Sequence, residues 1–265
     1  MNFIVYSHSS YVDILEIQTE YIHQHANETT LLINRGSHLP SRLLDPYSRV
    51  IYYNDENPYA QRIIECMGQI DHTTFLLTHD IDILLNCDSK TIRRLFDFVE
   101  SGRADRLDLK QTTNLNSFKF LDINNLEKEN LLPSSAIDLQ MGEYLVKEED
   151  PSNYIYNVNP SIWSKRALTE IMLRFPNKDY RNIEGADVQS FCQKYKVYKI
   201  YSGNHLKCGY FDCLDFFVFL HITHGGRLLP INESLTSLHG QSYKDISHEY
   251  GKIISKFDLL NSPRL

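Results

Sequence analysis

The chain has 265 residues, 42% of them hydrophobic and 23% charged, and a formal net charge of −7 at pH 7. This balance is normal for a globular protein and argues against a nucleic-acid binder with a general basic surface. No apolar run reaches the roughly 18 residues of a membrane span, no signal peptide is recognisable, and the five cysteines form no C-x-x-C pair. We therefore expect a cytoplasmic protein with free thiols, working in the cell interior or at the inner face of a membrane.

Strand and helix patterns alternate over the first 109 residues. Apolar runs predict five strands, at 2–7, 29–34, 49–54, 74–78 and 104–109. Helical spacing of apolar residues predicts three helices, from Ser9 or Ser10 to residue 25, at 57–70, and at 89–102 with Ser89 as its cap. The succession predicts an α/β fold, a mostly parallel central sheet flanked by helices.

The pattern changes after residue 109. Residues 110–153 are rich in Asn and Leu without a sustained period, which indicates an inserted, lid-like segment. The chain then continues with a strand and turn (154–164), two helices (164–175 and 182–195) and a further strand (196–202). A polar tail follows from residue 230. We find no internal repeat.

Two aspartates follow the fourth predicted strand, in the stretch TFLLTHDIDILLN (74–86). On an extended chain, residues i and i+2 share a face roughly 6.5 Å apart, so Asp80 and Asp82 should converge at the edge where open α/β sheets bind ligands. Two desolvated carboxylates repel each other, and a divalent cation that itself holds a diphosphate would offset that cost. The alternative is a solvated loop with two ordinary acids.

With this motif in place, the chain resembles the GT-A (Rossmann-like) class of nucleotide-sugar glycosyltransferases, particularly small bacterial and viral transferases for surface polysaccharide. The stretches that carry the resemblance follow in the family's order over residues 2–230: FIVYSHSSYVDI, NPYAQRIIECMGQI, FLLTHDIDILL, NVNPSIWSKRALTEIM and HITHGGRLLP. The resemblance implies one domain over 1–265. It would consist of a nucleotide-sugar-binding half (1–109), an insertion (110–153), an acceptor-side half (154–230) and a tail (231–265).

The resemblance also implies roles for individual residues. The donor, a nucleoside-diphosphate sugar with UDP favoured as the nucleotide, would be contacted by Ser7, Ser9, Tyr11, Asn34, Arg35, Arg62, Asp80 and Trp163. The cofactor would be Mn²⁺ or Mg²⁺, held by Asp82 with Asp80, His221 and His224 as further candidates. The acceptor would be a glycan or a lipid-linked glycan.

Three of these assignments have plainer alternatives. Trp163 could stack on a sugar or pack in the core, and Arg62 could be an exposed helix charge. His221 and His224 could be partly buried histidines at the end of a strand.

An inverting transfer also needs a carboxylate base that deprotonates the acceptor hydroxyl. Glu184 and Asp187 are spaced i, i+3 on the predicted helix 182–195 and should share one face of it. The family tends to place a glutamate at this distance after the Trp-bearing segment, so we favour Glu184 and keep Asp187 as the second candidate. A solvated first helical turn is the alternative.

Two other functions compete with glycosyl transfer. LLTHDID also resembles the signature that opens a NodB-type polysaccharide deacetylase, in which one aspartate and two histidines hold zinc. That family needs a downstream histidine pair, and no histidine lies between Asp82 and residue 200. The third possibility is a Rossmann-like binding protein without catalytic activity.

Overall fold

A computed structural model describes residues 1–26, 28–111, 120–122, 131–132, 143–147, 155–202, 206–208, 211–214, 217–224, 227–228, 248 and 250–259. Most of the predicted insertion 110–153, and the greater part of the predicted tail 231–265, lie outside the described residues. In the described part of the chain, no helix combines the length and apolar character that crossing a membrane requires.

The described residues include seven α-helices, six of them labelled α1 to α6 here, and sixteen strands. The helices are α1 (Val12–Ile22), α2 (Ser41–Leu44), α3 (Tyr59–Met67), α4 (Ser89–Glu100), α5 (Lys165–Arg174) and α6 (Ala186–Cys192), and a 3₁₀ helix spans Ser9–Tyr11. The strands are β1 (Asn2–Tyr6), β2 (Glu28–Asn34), β3 (Arg49–Tyr53), β4 (Thr74–His79), β5 (Asp82–Cys87), β6 (Arg106–Gln111), β7 (Phe120–Asp122), β8 (Leu131–Leu132), β9 (Glu143–Lys147), β10 (Ser161–Ser164), β11 (Val197–Ser202), β12 (Leu206–Cys208), β13 (Phe211–Leu214), β14 (Phe217–His221), β15 (Thr223–His224) and β16 (Arg227–Leu228). A further C-terminal helix covers residues 250–256.

The central sheet has the strand order β3-β2-β1-β4-β10-β6-β11-β9-β7-β8. From β3 to β11, the only strand that runs against the others is β10, which is antiparallel to both β4 and β6. The predicted α/β class, a mostly parallel central sheet flanked by helices, is therefore confirmed. Beyond β11 the sheet continues in antiparallel strands that come from the segment predicted as an insertion.

The two faces of the central sheet bury alternate residues of its strands, as the pleat requires. Phe3 and Val5 of β1 belong to a cluster that includes residues of α1 and α4. Ile4 and Tyr6 belong to a second cluster, with residues of α3, α5 and α6. Each fully buried side chain of this kind stabilises the fold by about 1.5–3 kcal/mol.

A second sheet, of order β12-β13-β14-β5, lies beside the central one. Asp80 and Ile81 connect β4 of the central sheet to β5 of this second sheet. Ile83 of β5 and Leu220 of β14 pack in a third cluster with Ile14 of α1 and Ile253 of the C-terminal helix.

Several helix boundaries differ from the prediction: α1 and α3 are shorter than the predicted ranges, and the start of α4 and of α6 differs as well. Asp88, rather than Ser89, caps α4, because its Oδ2 accepts hydrogen bonds from the backbone N–H and the hydroxyl of Thr91 at 2.8 and 2.6 Å. The predicted helix 182–195 begins only at Ala186, after a turn in which the N–H of Gly185 donates to the Asn182 oxygen at 3.1 Å. Glu184 precedes the helix, so the expected shared helical face of Glu184 and Asp187 is wrong.

Candidate functional site

Polar side chains gather where β1, β2 and β4 end. Because these strands are parallel neighbours, their carboxyl ends meet at one edge of the sheet. The Ser7 hydroxyl, just after β1, donates to Oδ2 of Asp80, just after β4, at 2.5 Å. Both residues are buried. This hydrogen bond fixes one of the two motif aspartates on the central sheet.

The turn after β1 is held at the same edge by the end of β2. Oδ1 of Asn34 accepts from the backbone N–H of Ser9 at 2.8 Å, and its Nδ2 donates to the Ser9 hydroxyl at 3.0 Å. Ser9 and Tyr11 bound the 3₁₀ helix that follows. The structure thus brings Ser7, Ser9, Asn34 and Asp80 together, and their contact with a donor stays a prediction.

Asp82 lies on the second sheet and has a different partner. It is the first residue of β5, and the register of β5 with β14 places His221 directly opposite. The two side chains share a face, and Nδ1 of His221 lies 2.6 Å from Oδ1 of Asp82. A carboxylate only accepts, so Nδ1 carries the hydrogen of this bond, which in a neutral ring puts the lone pair on Nε2.

The donor atoms of this pair suit a hard or borderline divalent cation. Mg²⁺ is commonly bound through one or two carboxylates together with substrate phosphates. Within the described residues, no group of three His, Cys, Asp or Glu side chains is arranged to hold a metal ion. Asp82 and His221 would each bring one such atom, a carboxylate oxygen or the ring Nε2, and the role of either toward a cation stays a prediction. The side chain of His224 lies outside what the structure describes.

Glu184 reaches the same edge from the other half of the chain. Because β10 is antiparallel to β4, the segment before β10 lies at the carboxyl end of β4. In that segment, the backbone N–H of Val158 donates to Oε1 of Glu184 at 2.8 Å. Asp187 instead pairs with Lys178 at 2.8 Å on the exposed surface, and the Lys178 hydrogen bond lowers the pKa of its carboxyl. Of the two predicted bases, Glu184 thus lies at this edge and Asp187 at the surface, and a role as the base stays a prediction.

An aromatic group at this edge was not anticipated from the sequence. The ring of Tyr180, in the loop between α5 and α6, lies 5.4 Å from the Tyr59 ring and 5.2 Å from the His79 ring. Burial, followed by the charges of Asp82, Glu184 and Asp80, raises the pKa of the Tyr180 hydroxyl. Burial also lowers the pKa of His79 to about 4, so this imidazole is neutral at pH 7.

Both predicted donor-binding arginines, Arg35 and Arg62, form ion pairs with acidic side chains. Arg35 forms an ion pair with Glu65. Arg62 pairs with Asp55 at 2.9 Å and donates to the backbone oxygen of Asn57 at 2.7 Å. Both guanidinium groups thus anchor to α3 or the loop before it, and their contact with a base or phosphate stays a prediction.

Trp163 lies in the core, with 3% of its surface exposed. Its ring packs on Tyr156, at 5.7 Å between centroids, and under the guanidinium of Arg106 at 4.8 Å. Of the two alternatives, core packing is what the structure shows.

Arg106 supports the Glu184 side of the site from within. This side chain is 0% exposed and lies 3.4 Å from the buried carboxylate of Asp108. It also donates to the Ser161 hydroxyl at 2.8 Å, to the backbone oxygen of Ile155 and to the side chain of Asn157. The network fixes the segment 155–161, whose Val158 holds Glu184.

No protein-family model matches the chain, and no curated protein matches it in sequence. Solved structures similar to it include a 4-diphosphocytidyl-2C-methyl-D-erythritol synthase from Anaerococcus prevotii, with 13% identity over 76% of this chain and 89% of that one and a TM-score of 0.41. Residues 1–349 of S. aureus TarS are 15% identical over 77% of this chain and 61% of that one, with a TM-score of 0.44. A UDP-glucose pyrophosphorylase complexed with UDP-glucose is 8% identical over 76% of this chain and 90% of that one, with a TM-score of 0.42. These values describe a partial likeness of fold, and we base the functional proposal on the residues of the site.

Proposed function

We propose that the protein is a GT-A-type glycosyltransferase that moves a sugar from a nucleoside-diphosphate sugar, with UDP favoured, to a hydroxyl of a glycan or lipid-linked glycan. The observation that supports it is that Asp80, paired with Ser7 after β4, Asp82, paired with His221 at the start of β5, and Glu184 lie close enough for all three charges to act on one hydroxyl, that of Tyr180. Surface-polysaccharide synthesis, in the cytoplasm or at the inner face of a membrane, is the setting that the proposal implies.

The two halves of the site would divide the chemistry between them. Asp80, whose Oδ2 accepts from Ser7, would accept hydrogen bonds from the hydroxyls of a ribose. Asp82 would hold Mn²⁺ or Mg²⁺, with His221 orienting its carboxylate through the Nδ1–H bond, and the cation would supply positive charge for the leaving diphosphate. Glu184 would take the proton of the acceptor hydroxyl while that oxygen bonds to the anomeric carbon and the carbon–phosphate-oxygen bond breaks. A reaction with such a base is an inverting transfer, and the proposal includes this outcome.

Nucleotide binding can be measured directly by thermal unfolding. With UDP, GDP, CMP or dTDP at about a hundredfold excess over its Kd, we expect one nucleotide to raise the unfolding temperature by about 5–10 °C in the presence of Mn²⁺. EDTA should remove the shift, because the cation links the diphosphate to Asp82. Stabilisation by Zn²⁺ alone would instead favour the deacetylase, and no shift under any condition would favour a protein without either activity.

The base can be identified by comparing two neutral substitutions. Glu184→Gln should lower kcat by about 10²–10⁴-fold with donor affinity unchanged, because the amide can still accept from Val158 but cannot take a proton. Asp187→Asn is the matched control and should leave kcat within about twofold of wild type, since that carboxylate lies at the surface. Wild-type turnover in both variants would contradict the assignment and point to another base or to a retaining mechanism.

A further inference from the structure

Tyr180 combines exposure with a fixed position. It is 38% exposed, although it carries a large aromatic ring. Tyr59 and His79, both buried, contact the ring edge-on, with interplanar angles of 85° and 63°. A ring held on two sides by buried neighbours loses little further freedom when a ligand covers its open part.

The position of Tyr180 lies between the two halves of the site. The charges that act on its hydroxyl come from the end of β4, the start of β5 and the turn before α6, through Asp80, Asp82 and Glu184. In the proposed reaction, the transferred sugar lies between the diphosphate, beside Asp82, and the acceptor hydroxyl, beside Glu184. Tyr180 is an exposed aromatic side chain that contacts His79, at the end of β4, and lies near enough to these acids for their charges to act on its hydroxyl.

We infer that Tyr180 is a binding residue for the sugar of the donor, with the exposed part of its ring packed on the apolar face of the sugar and its hydroxyl donating to a sugar oxygen. The inference rests on the proposed glycosyl transfer and adds the residue that recognises the transferred group. It gives Tyr180 the role for which Trp163 is too deeply buried. Aromatic rings suit this role because they offer a large apolar surface with a polar end.

The test compares a nucleotide with and without its sugar. Calorimetric titrations with UDP and UDP-glucose, and with GDP and GDP-mannose, are made in Mn²⁺ buffer on wild type, Tyr180→Ala, Tyr180→Phe and Tyr52→Ala. Tyr52 is the control, since it is 40% exposed but lies on the edge strand β3. We expect Tyr180→Ala to weaken binding of the sugar nucleotide about tenfold and of the bare diphosphate less than about twofold. Tyr52→Ala should leave the affinity for both ligands unchanged. Tyr180→Phe keeps the ring but not the hydroxyl, and its affinity for the sugar nucleotide should be about threefold lower than that of wild type.

The failures of the two proposals look different. If wild type binds UDP or GDP and the ratio of sugar-nucleotide to diphosphate affinity is the same in Tyr180→Ala, the role of Tyr180 is overturned while glycosyl transfer stands. Equal weakening of both ligands would likewise overturn it, because the effect would lie on the nucleotide or on the fold. If wild type binds neither UDP and UDP-glucose nor GDP and GDP-mannose, both proposals are contradicted. If Tyr180→Ala does not fold, Tyr180→Phe decides, and an unchanged ratio there overturns the inference.

Discussion

Replacing Asp82 by asparagine is expected to lower turnover of a nucleotide sugar by about 10³-fold or more while the chain keeps its fold. Asparagine has nearly the same shape, and its Oδ1 can still accept from Nδ1 of His221, now 2.6 Å away. What it lacks is the negative charge that would hold the cation beside the leaving diphosphate. Release of nucleoside diphosphate at saturating donor and Mn²⁺ measures the effect, and thermal unfolding without ligand checks the fold.

Asp71→Asn is the matched control for this experiment. Asp71 is exposed and pairs with Arg49 at 3.0 Å, at the start of β3 and therefore at the opposite edge of the sheet. Its loss should leave turnover within about twofold of wild type, since exposed ion pairs contribute little. If Asp82→Asn and Asp71→Asn both turn over like wild type, the assignment of Asp82 to the cation is wrong.

Replacing Arg106 by methionine should cost about 3–5 kcal/mol of the free energy of unfolding, because it leaves the carboxylate of Asp108 buried without its cation. Methionine fills a similar volume, so the loss reports the missing charge and hydrogen bonds rather than a cavity. The backbone oxygen of Ile155 and the hydroxyl of Ser161 lose their donor as well. The midpoint of urea unfolding measures the change, with ΔG values compared at constant m-value.

Arg166→Met is the control for stability. Arg166 is an exposed arginine that pairs with Asp105 at 2.6 Å and with Glu170 at 3.8 Å. Its substitution should cost no more than about 1 kcal/mol. Equal losses in the two variants would mean that burial of the Arg106–Asp108 pair does not carry the stability assigned to it.

Local patterns predicted β1 to β4 of the central sheet, because these strands are apolar runs, but not β7 to β9, which lie in the segment predicted as an insertion. They could not show that Asp80 and Asp82 belong to different sheets. The change of sheet depends on the pairing of β5 with β14, whose residues Asp82 and His221 are 139 positions apart. No pattern within a short stretch contains that information.

The two unanticipated residues differ in the signal that the sequence offers. Arg106 and Asp108 are opposite charges at i and i+2 in ADRLDL, a predicted strand that also contains Asp105, and this spacing places them on one face. That pattern predicts an ion pair but not its burial. Tyr180, by contrast, lies in PNKDYRN, a polar stretch without a period, and only the packing of the loop on Tyr59 and His79 gives it a position.

The pairing of β5 with β14 also affects how the chain matures during synthesis. The parallel strands β3, β2, β1 and β4 all lie within the first 79 residues, so they can assemble early. Asp82, however, leaves the ribosome 139 residues before His221, a delay of roughly 10–30 s at ordinary rates of translation. Over that interval the apolar stretch ILLN of β5 has no partner strand, which makes the nascent chain prone to aggregation. The helix over residues 250–256 packs in the same cluster as Ile83 and Leu220, so this cluster is complete only after β14 and that helix have both been synthesised.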